Sequence, residues 1–253
     1  MKVAILSSAP EVYAEGLRNV EVVATAGWDE FEPVLRAAEA GARVLCEYPS
    51  AAKEADLKAV VDASGDRLTF ASPACHGEAF ALVRKGIADG GIGALTTVTG
   101  SLATSADGGV LGAAAPYLLD LADAVLGGEP AQQVYAQTNT VLNGHGAESA
   151  AVLTVRYRSG QVASFDLRRD PAGTGRPAVT FIGDKASVQY DAGPKLLDGV
   201  GALGGEDLVF LLLKDFLNEG DTPGPDGEAA LRTFRIVQAA YESAQTGQPV
   251  TLA

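Results

Sequence analysis

Few side chains in this sequence can give or take a proton beside a crevice. His76, in Pro73-Ala74-Cys75-His76-Gly77, follows an apolar run and precedes a helical one. An imidazole titrates near about pH 6.5, so His76 suits an acid, a base or a substrate contact; a helix-start cap is the rival reading. Tyr48, in Glu47-Tyr48-Pro49, carries a phenol with an ordinary pKa of about 10. It serves as a donor or acid more readily than as a base. Asp120 and Asp123 lie three apart, on one side of a helix. Asp120 either orients a crevice group or is a plain helix-face carboxylate. Arg168 and Arg169 end an alternating run and either contact an anionic group or partner nearby acids. One histidine beside one cysteine lacks the ligand count of a zinc site, so no metal is expected. Cys46 reads as a small buried hydrophobe, and His145, in Asn143-Gly144-His145-Gly146, as part of an exposed turn.

These residues need elements to hold them. Ala42–Ser50 reads as a short buried strand, Arg43–Cys46, closed by Glu47, Tyr48 and Pro49, after which Ser50 caps a helix over Ala51–Ser64. Polar residues at the carboxyl end of such a strand face the ligand crevice of an open α/β sheet, which makes Glu47 a candidate contact. Before it come a strand over Lys2–Leu6, a helix over Pro10–Arg18, a strand over Val20–Thr25 and an amphipathic helix over Trp28–Ala40, with Asp29 as its cap and Gly41 as its stop. This order begins a nucleotide fold. The loop Ser7-Ser8-Ala9-Pro10-Glu11, however, has no glycine, where a dinucleotide site needs Gly-x-Gly-x-x-Gly to approach a pyrophosphate.

After a strand over Arg67–Ala71 the pattern changes. Helices are expected over Glu78–Ala88 and Leu111–Leu126, the second with Pro116 near its first turn. Strands are expected over Leu95–Leu102, Gln133–Thr138, Ser149–Tyr157, Gln161–Arg168, Ala178–Ile182 and Ala186–Tyr190. The alternation points to a mainly antiparallel sheet with one face covered. Helices over Asp207–Asn218 and Gly227–Gln245 close the chain. The fold class is therefore α/β: a truncated Rossmann-like half, 1–73, then an α/β half with a large open, mainly antiparallel sheet, 74–253.

Composition excludes several classes. With 253 residues and 47% hydrophobic content the chain can bury a substantial core. A net charge of −13 argues against nucleic acid as a partner, because little is available to displace phosphate counterions. The longest apolar run, around Leu208–Leu213, is far short of a membrane span. Two cysteines and no signal-peptide core suit a reduced, cytoplasmic setting.

Several motifs, taken together, resemble the glucose-fructose oxidoreductase / inositol dehydrogenase / MocA (Gfo/Idh/MocA) family. Ala37-Ala38-Glu39-Ala40-Gly41-Ala42-Arg43-Val44-Leu45-Cys46-Glu47-Tyr48-Pro49 is similar to its "ALEAGKHVLCEKP" segment. Gly90–Gly93, Gly108–Leu111 through Asp120, Gly160–Phe165 and Ala240–Val250 continue the likeness. The resemblance implies a Rossmann-like half and a second half whose open sheet mediates oligomerisation, so a homo-oligomer through that face is expected. It places Cys75 and His76 on the substrate side, and it sets Tyr48 and Tyr117 facing one crevice. Tyr48 stands where the family has lysine, and Ala113 and Tyr117 stand where it has an aspartate and a histidine. The strand-plus-Thr-Pro segment before the Ala-Gly helix is missing.

Loss of that whole set suggests a changed function. The expectation is a cofactor-independent lyase, isomerase or cyclase acting on a small metabolite in bacterial specialised metabolism. Tyr117, Tyr48 and His76 would be catalytic, with Glu47, Asp120, Arg168 and Cys75 in contact with substrate, and neither cofactor nor metal bound. The alternatives are an NAD(P)-dependent oxidoreductase with an altered loop and a non-catalytic subunit.

Overall fold

The structure, a computed structural model, describes residues 1–49, 53–105, 109–140, 147–172, 175–192, 195–196, 202–203, 207–218 and 224–252. They divide into two compact units, 1–76 with 207–234 and 77–206 with 235–253. The sequence reading draws its boundary after Pro73 and keeps 207–234 with the second half. In the structure that segment joins the first unit.

The first unit is built on a parallel sheet in the order β2-β1-β3-β4, with β1 at Lys2–Leu6, β2 at Glu21–Ala26, β3 at Arg43–Cys46 and β4 at Leu68–Phe70. Alternation along β1 explains both faces. Ala4 and Leu6 point to a core shared with Val44, Cys46, Phe70, Val34 and Ala38 of α2 (Glu32–Glu39), and Leu57 and Val60 of α3 (Glu54–Ser64). Ala230, Leu231 and Phe234 complete that core. Val3 and Ile5 point to the opposite core with Leu45, Tyr13 and Leu17, and with Leu212, Leu213 and Phe216 from Leu208–Leu217. A parallel sheet must be covered on both sides, and the late helices supply what the early segments lack.

Local departures from the sequence reading have physical causes. Helix α1 is a single turn, Glu11–Ala14, not Pro10–Arg18. Gly16 follows it, and a Cβ there would lie 2.4 Å from the Leu213 side chain, so the chain passes too close to the late helix for a larger residue to fit without moving it. Asp29 does not cap α2: Trp28–Glu30 forms a separate 3₁₀ turn, and α2 begins after Phe31. Ser50, the expected cap of α3, lies outside the described residues. The helix starts after Lys53, whose N–H donates to the Asp56 carboxylate at 3.2 Å.

The second unit contains α4 (Glu78–Ala88), β5 (Leu95–Thr104), α5 (Val110–Leu126), β6 (Ala131–Asn139), β7 (Ala150–Tyr157), β8 (Val162–Arg169), β9 (Ala178–Gly183) and β10 (Ser187–Asp191). A two-stranded pair follows, β11 (Lys195–Leu196) with β12 (Ala202–Leu203). After α6 (Leu208–Leu217), α7 (Gly227–Thr246) and β13 (Val250–Thr251) complete the order. The large sheet runs β10-β9-β5-β8-β7-β6-β13, antiparallel except for β5 with β8. Ala151, Leu153, Val155, Ala163, Phe165, Leu167, Val179 and Phe181 fill its buried face, and Phe80 of α4 packs on Phe181 and Tyr190. The other face alternates half-buried Thr97, Thr99, Thr154 and Ser164 with exposed Val152, Arg156, Asp166 and Arg168. Pro116 falls in the second turn of α5, inside the helix, so its ring denies the Gly112 carbonyl the usual donor four residues on.

Candidate functional site

In the first unit, the residues singled out from sequence gather at the carboxyl ends of β1, β3 and β4. The Glu47 N–H donates to the Leu6 carbonyl at 2.8 Å, extending β3 past Cys46 alongside β1. Its carboxylate is held from both sides: Ser7 Oγ–H donates to Oε2 at 2.7 Å, and the Tyr13 hydroxyl donates to Oε1 at 2.7 Å. Its carbonyl accepts from Trp28 Nε1–H at 2.9 Å and from the Cys46 thiol at 3.3 Å. Burial pushes the Cys46 thiol well above its usual range, with the Glu47 charge adding to it, so this cysteine is an inert packing group. Tyr48 is half-buried, its ring 5.0 Å from that of Phe70.

His76 lies past the end of β4, in the turn Pro73–His76. Its side chain is fully buried, and Nδ1 lies 2.9 Å from Asp215 Oδ2, with the carboxylate 30% exposed. The Nδ1–H tautomer is thereby implied. Nε2 is buried and has no hydrogen-bond partner among the described residues, and Gly224 packs so close that a Cβ there would lie 2.6 Å from it. Burial lowers the His76 pKa, and Asp215 only partly offsets this. The imidazole is therefore neutral at pH 7, with an acceptor nitrogen in reserve. Cys75 beside it is buried, its Sγ 3.5 Å from Ser72 Oγ.

In the second unit, Tyr117 is half-buried and Asp120 buried, both on α5. The start of α5 is occupied by a carboxylate: Glu148 Oε1 accepts from Leu111 N–H at 3.0 Å and from the Tyr241 hydroxyl at 3.1 Å. The Tyr241 oxygen itself accepts from Gly112 N–H at 3.0 Å. Burial, with the Glu148 charge next, pushes the Tyr241 phenol far above its usual range and keeps it a donor. Arg168 sits on the outer face of β8, exposed, with Nη1 3.8 Å from Asp166 Oδ2. His145 lies outside the described residues. Among the described residues no group of acids, histidines and cysteines is arranged to hold a metal ion. No described helix is long and apolar enough to cross a membrane.

Sequence reasoning missed Ser7, Tyr13, Trp28, Asp215 and Glu148. Each acts through a partner 19 to 139 residues away. No local pattern marks such pairs.

As it stands, the loop after β1 lacks the glycine turn with which a dinucleotide site meets a pyrophosphate. Ser7 N–H donates to the Ala26 carbonyl, Ala9 N–H to Ser7 Oγ, and Pro10 has no N–H to offer. The Ser7 and Tyr13 hydroxyls are turned onto Glu47.

Comparison with known proteins extends beyond this loop. Residues 80–189 match the GFO/IDH/MocA C-terminal domain. No curated protein matches the chain in sequence. Among solved structures, a probable dehydrogenase from Thermotoga maritima is similar at 17% identity and TM-score 0.78, covering 99% of this chain and 98% of its own. A putative myo-inositol dehydrogenase from Sinorhizobium meliloti is similar at 18% identity and TM-score 0.77, covering 100% of both chains. A scyllo-inositol dehydrogenase from Lactobacillus casei, solved with bound NAD(H) and scyllo-inositol, matches at 14% identity and TM-score 0.77, covering 99% and 98%. This corrects the expectation of no cofactor: the same fold, matched end to end, holds NAD(H) in the L. casei enzyme, so the altered loop does not establish a cofactor-free protein. Residues 80–189 thus match the GFO/IDH/MocA C-terminal domain, and the chain shares its fold from end to end with these dehydrogenases.

Proposed function

We propose that this chain is an NAD(P)-dependent oxidoreductase with an altered cofactor loop, acting on a small metabolite. The observation that carries the reading is the end-to-end fold match to dehydrogenases, with the family domain over residues 80–189. In this reading Tyr117, on α5, is the proton-carrying group in place of the family's histidine. Tyr48 positions substrate from the end of β3, and His76, held by Asp215, is a second acid/base group. Glu47, Cys75, Asp120 and Arg168 stand as substrate contacts. The chain's own contribution is orientation and proton transfer; the nicotinamide supplies the redox equivalent when bound. A cytoplasmic location and a homo-oligomer joined through the outer face of the large sheet belong to the same proposal. Two buried cysteines that form no disulfide support the first, and the alternating outer face of β5, β7 and β8 supports the second.

One observation favours a second reading, that of a non-catalytic subunit paired with an active relative. Tyr48 packs on Phe70 where the family has lysine, and Ala113 stands where it has aspartate. Calorimetric titration of the purified chain with NADH and NADPH tests the main reading. Saturable binding of either at physiological concentration is expected. No binding of either, together with a stoichiometric homologous partner on purification from the native host, would replace it with the second.

A further inference from the structure

Helices α4 and α5 leave between them, in the second unit, a groove of about 370 Å³. Ala81, Ile87 and Ala88 of α4 and Ala124 and Val125 of α5 give it an apolar lining, and Arg84 and Lys85 complete it. That volume is within the range of small-molecule sites. Its charge runs against that of the chain. Acids outnumber lysines and arginines by 32 to 19, yet no carboxylate lines the groove among the described residues. Lys85 is paired with Asp89, four residues on, and both side chains are exposed. Arg84 is half-buried and has no ion pair among the described residues. Asp123, just before Ala124, lies close to Tyr157, whose phenol is pushed up by burial and then by that charge.

The groove lies at the last turns of both helices, where open carbonyls would favour a cation. Those carbonyls are taken: Lys85, Gly86 and Ile87 accept from the N–H groups of Asp89, Gly91 and Gly90, and Asp123 accepts from those of Gly127 and Gly128. The guanidinium of Arg84 is left as the unpaired charge of an otherwise apolar lining. We propose that this groove binds a small organic carboxylate with an apolar body. The Arg84 fork takes both carboxylate oxygens, and the apolar part lies along Ala81, Ile87, Ala124 and Val125, out of water. None of the residues assigned to the oxidoreductase reaction lines the groove, so this is a second ligand site, independent of the NAD(P) reading.

Octanoate is the probe, titrated by calorimetry into the wild-type chain, Arg84→Gln and Arg18→Gln, with octanol and acetate as comparison ligands. Arg18 lies in the first unit with its side chain 72% exposed, so its substitution changes net charge equally without touching the groove. Saturable one-site binding of octanoate at millimolar concentration or below is expected in the wild type. Arg84→Gln should weaken it at least roughly tenfold, and octanol and acetate should each bind the wild type at least roughly tenfold more weakly than octanoate. Arg18→Gln should bind octanoate as the wild type does. No saturable octanoate binding by the wild type would overturn the proposal. Octanol binding as tightly as octanoate would reduce the groove to an apolar surface, and acetate doing so would leave an adventitious ion only; either overturns it. Octanoate affinity unchanged in Arg84→Gln, or lowered equally in Arg18→Gln, would also overturn it. If Arg84→Gln does not fold, Ala88→Glu decides: it sets an acid at an exposed position of the same lining, and octanoate affinity kept in that variant would refute the site, whereas its loss would support it.

Discussion

Removing the Asp215 carboxylate should expose how His76 is held. In Asp215→Ala the buried Nδ1–H loses its acceptor at 2.9 Å while the imidazole, whose side chain has no exposed surface, stays inside. Leaving a buried donor unmade costs about 1–3 kcal/mol. Asp215 is 30% exposed, so water reaches part of the gap and the lower end, about 1–2 kcal/mol, is the expectation. For a chain of 253 residues that corresponds to a fall in melting temperature of roughly 2–8 °C. The pH dependence gives a second, independent readout. Burial holds the folded His76 below its ordinary 6.5, so between that depressed value and 6.5 the unfolded chain binds more protons than the folded one. The His76 contribution is therefore complete above pH 6.5, declines as pH falls through this window, and stops declining below the folded value. Asp215 pulls the folded value upward, so Asp215→Ala should widen the window and deepen the acid loss. His76→Gln should flatten it. Thermal melts by circular dichroism from mildly basic to mildly acidic pH measure both. An Asp215→Ala variant with the wild-type melting temperature and the wild-type acid limb would refute the argument.

Further outcomes follow from single contacts. Glu148→Ala should destabilise the second unit by about 1–3 kcal/mol, since Leu111 N–H and the Tyr241 hydroxyl lose a charged acceptor at a helix start; Glu148→Gln should cost less, and thermal melts compare them. Gly183→Ala should cost about 1–3 kcal/mol or more, because its Cβ would lie 2.0 Å from the Ile92 carbonyl oxygen, which is backbone and cannot swing aside. Gly86→Ala, with open space inside α4, should instead stabilise by about 0.5–1 kcal/mol in the same denaturation assay. Once a substrate is in hand, Tyr117→Phe should lower turnover on the order of 10²–10⁴-fold and Tyr48→Phe by less; wild-type turnover by both would reduce the tyrosines to packing.

The strands and helices legible from sequence are those whose signals are local. Arg43–Cys46 lies between a glycine stop and a proline, and Glu78–Ala88 opens after Gly77 with apolar Phe80, Val83 and Ile87 at helical spacing; both run as read. Pro10–Arg18 misled because α1 lasts a single turn, and Gly16 beyond it lies against Leu213, nearly two hundred residues on, a contact that no window around α1 contains. The late helix Leu208–Leu217 has a strong apolar face whose pattern says that it must be covered, but not by which sheet; in the structure it completes the first unit's core. The candidate site divides the same way. Glu47 was found because a polar residue at a strand's carboxyl end faces a crevice by rule. Its two hydroxyl partners and its tryptophan were not, since serine, tyrosine and tryptophan in early loops carry no mark of a common target. His76 was visible as a rare titratable residue, whereas Asp215, on another helix, was one acid among many.

The proposed NAD(P) use is tested most directly by a crystal structure of the chain grown with saturating NADPH, or NADH if that binds tighter. Nucleotide bound to the first unit is the predicted result. Crystals free of nucleotide at saturating concentration would contradict it.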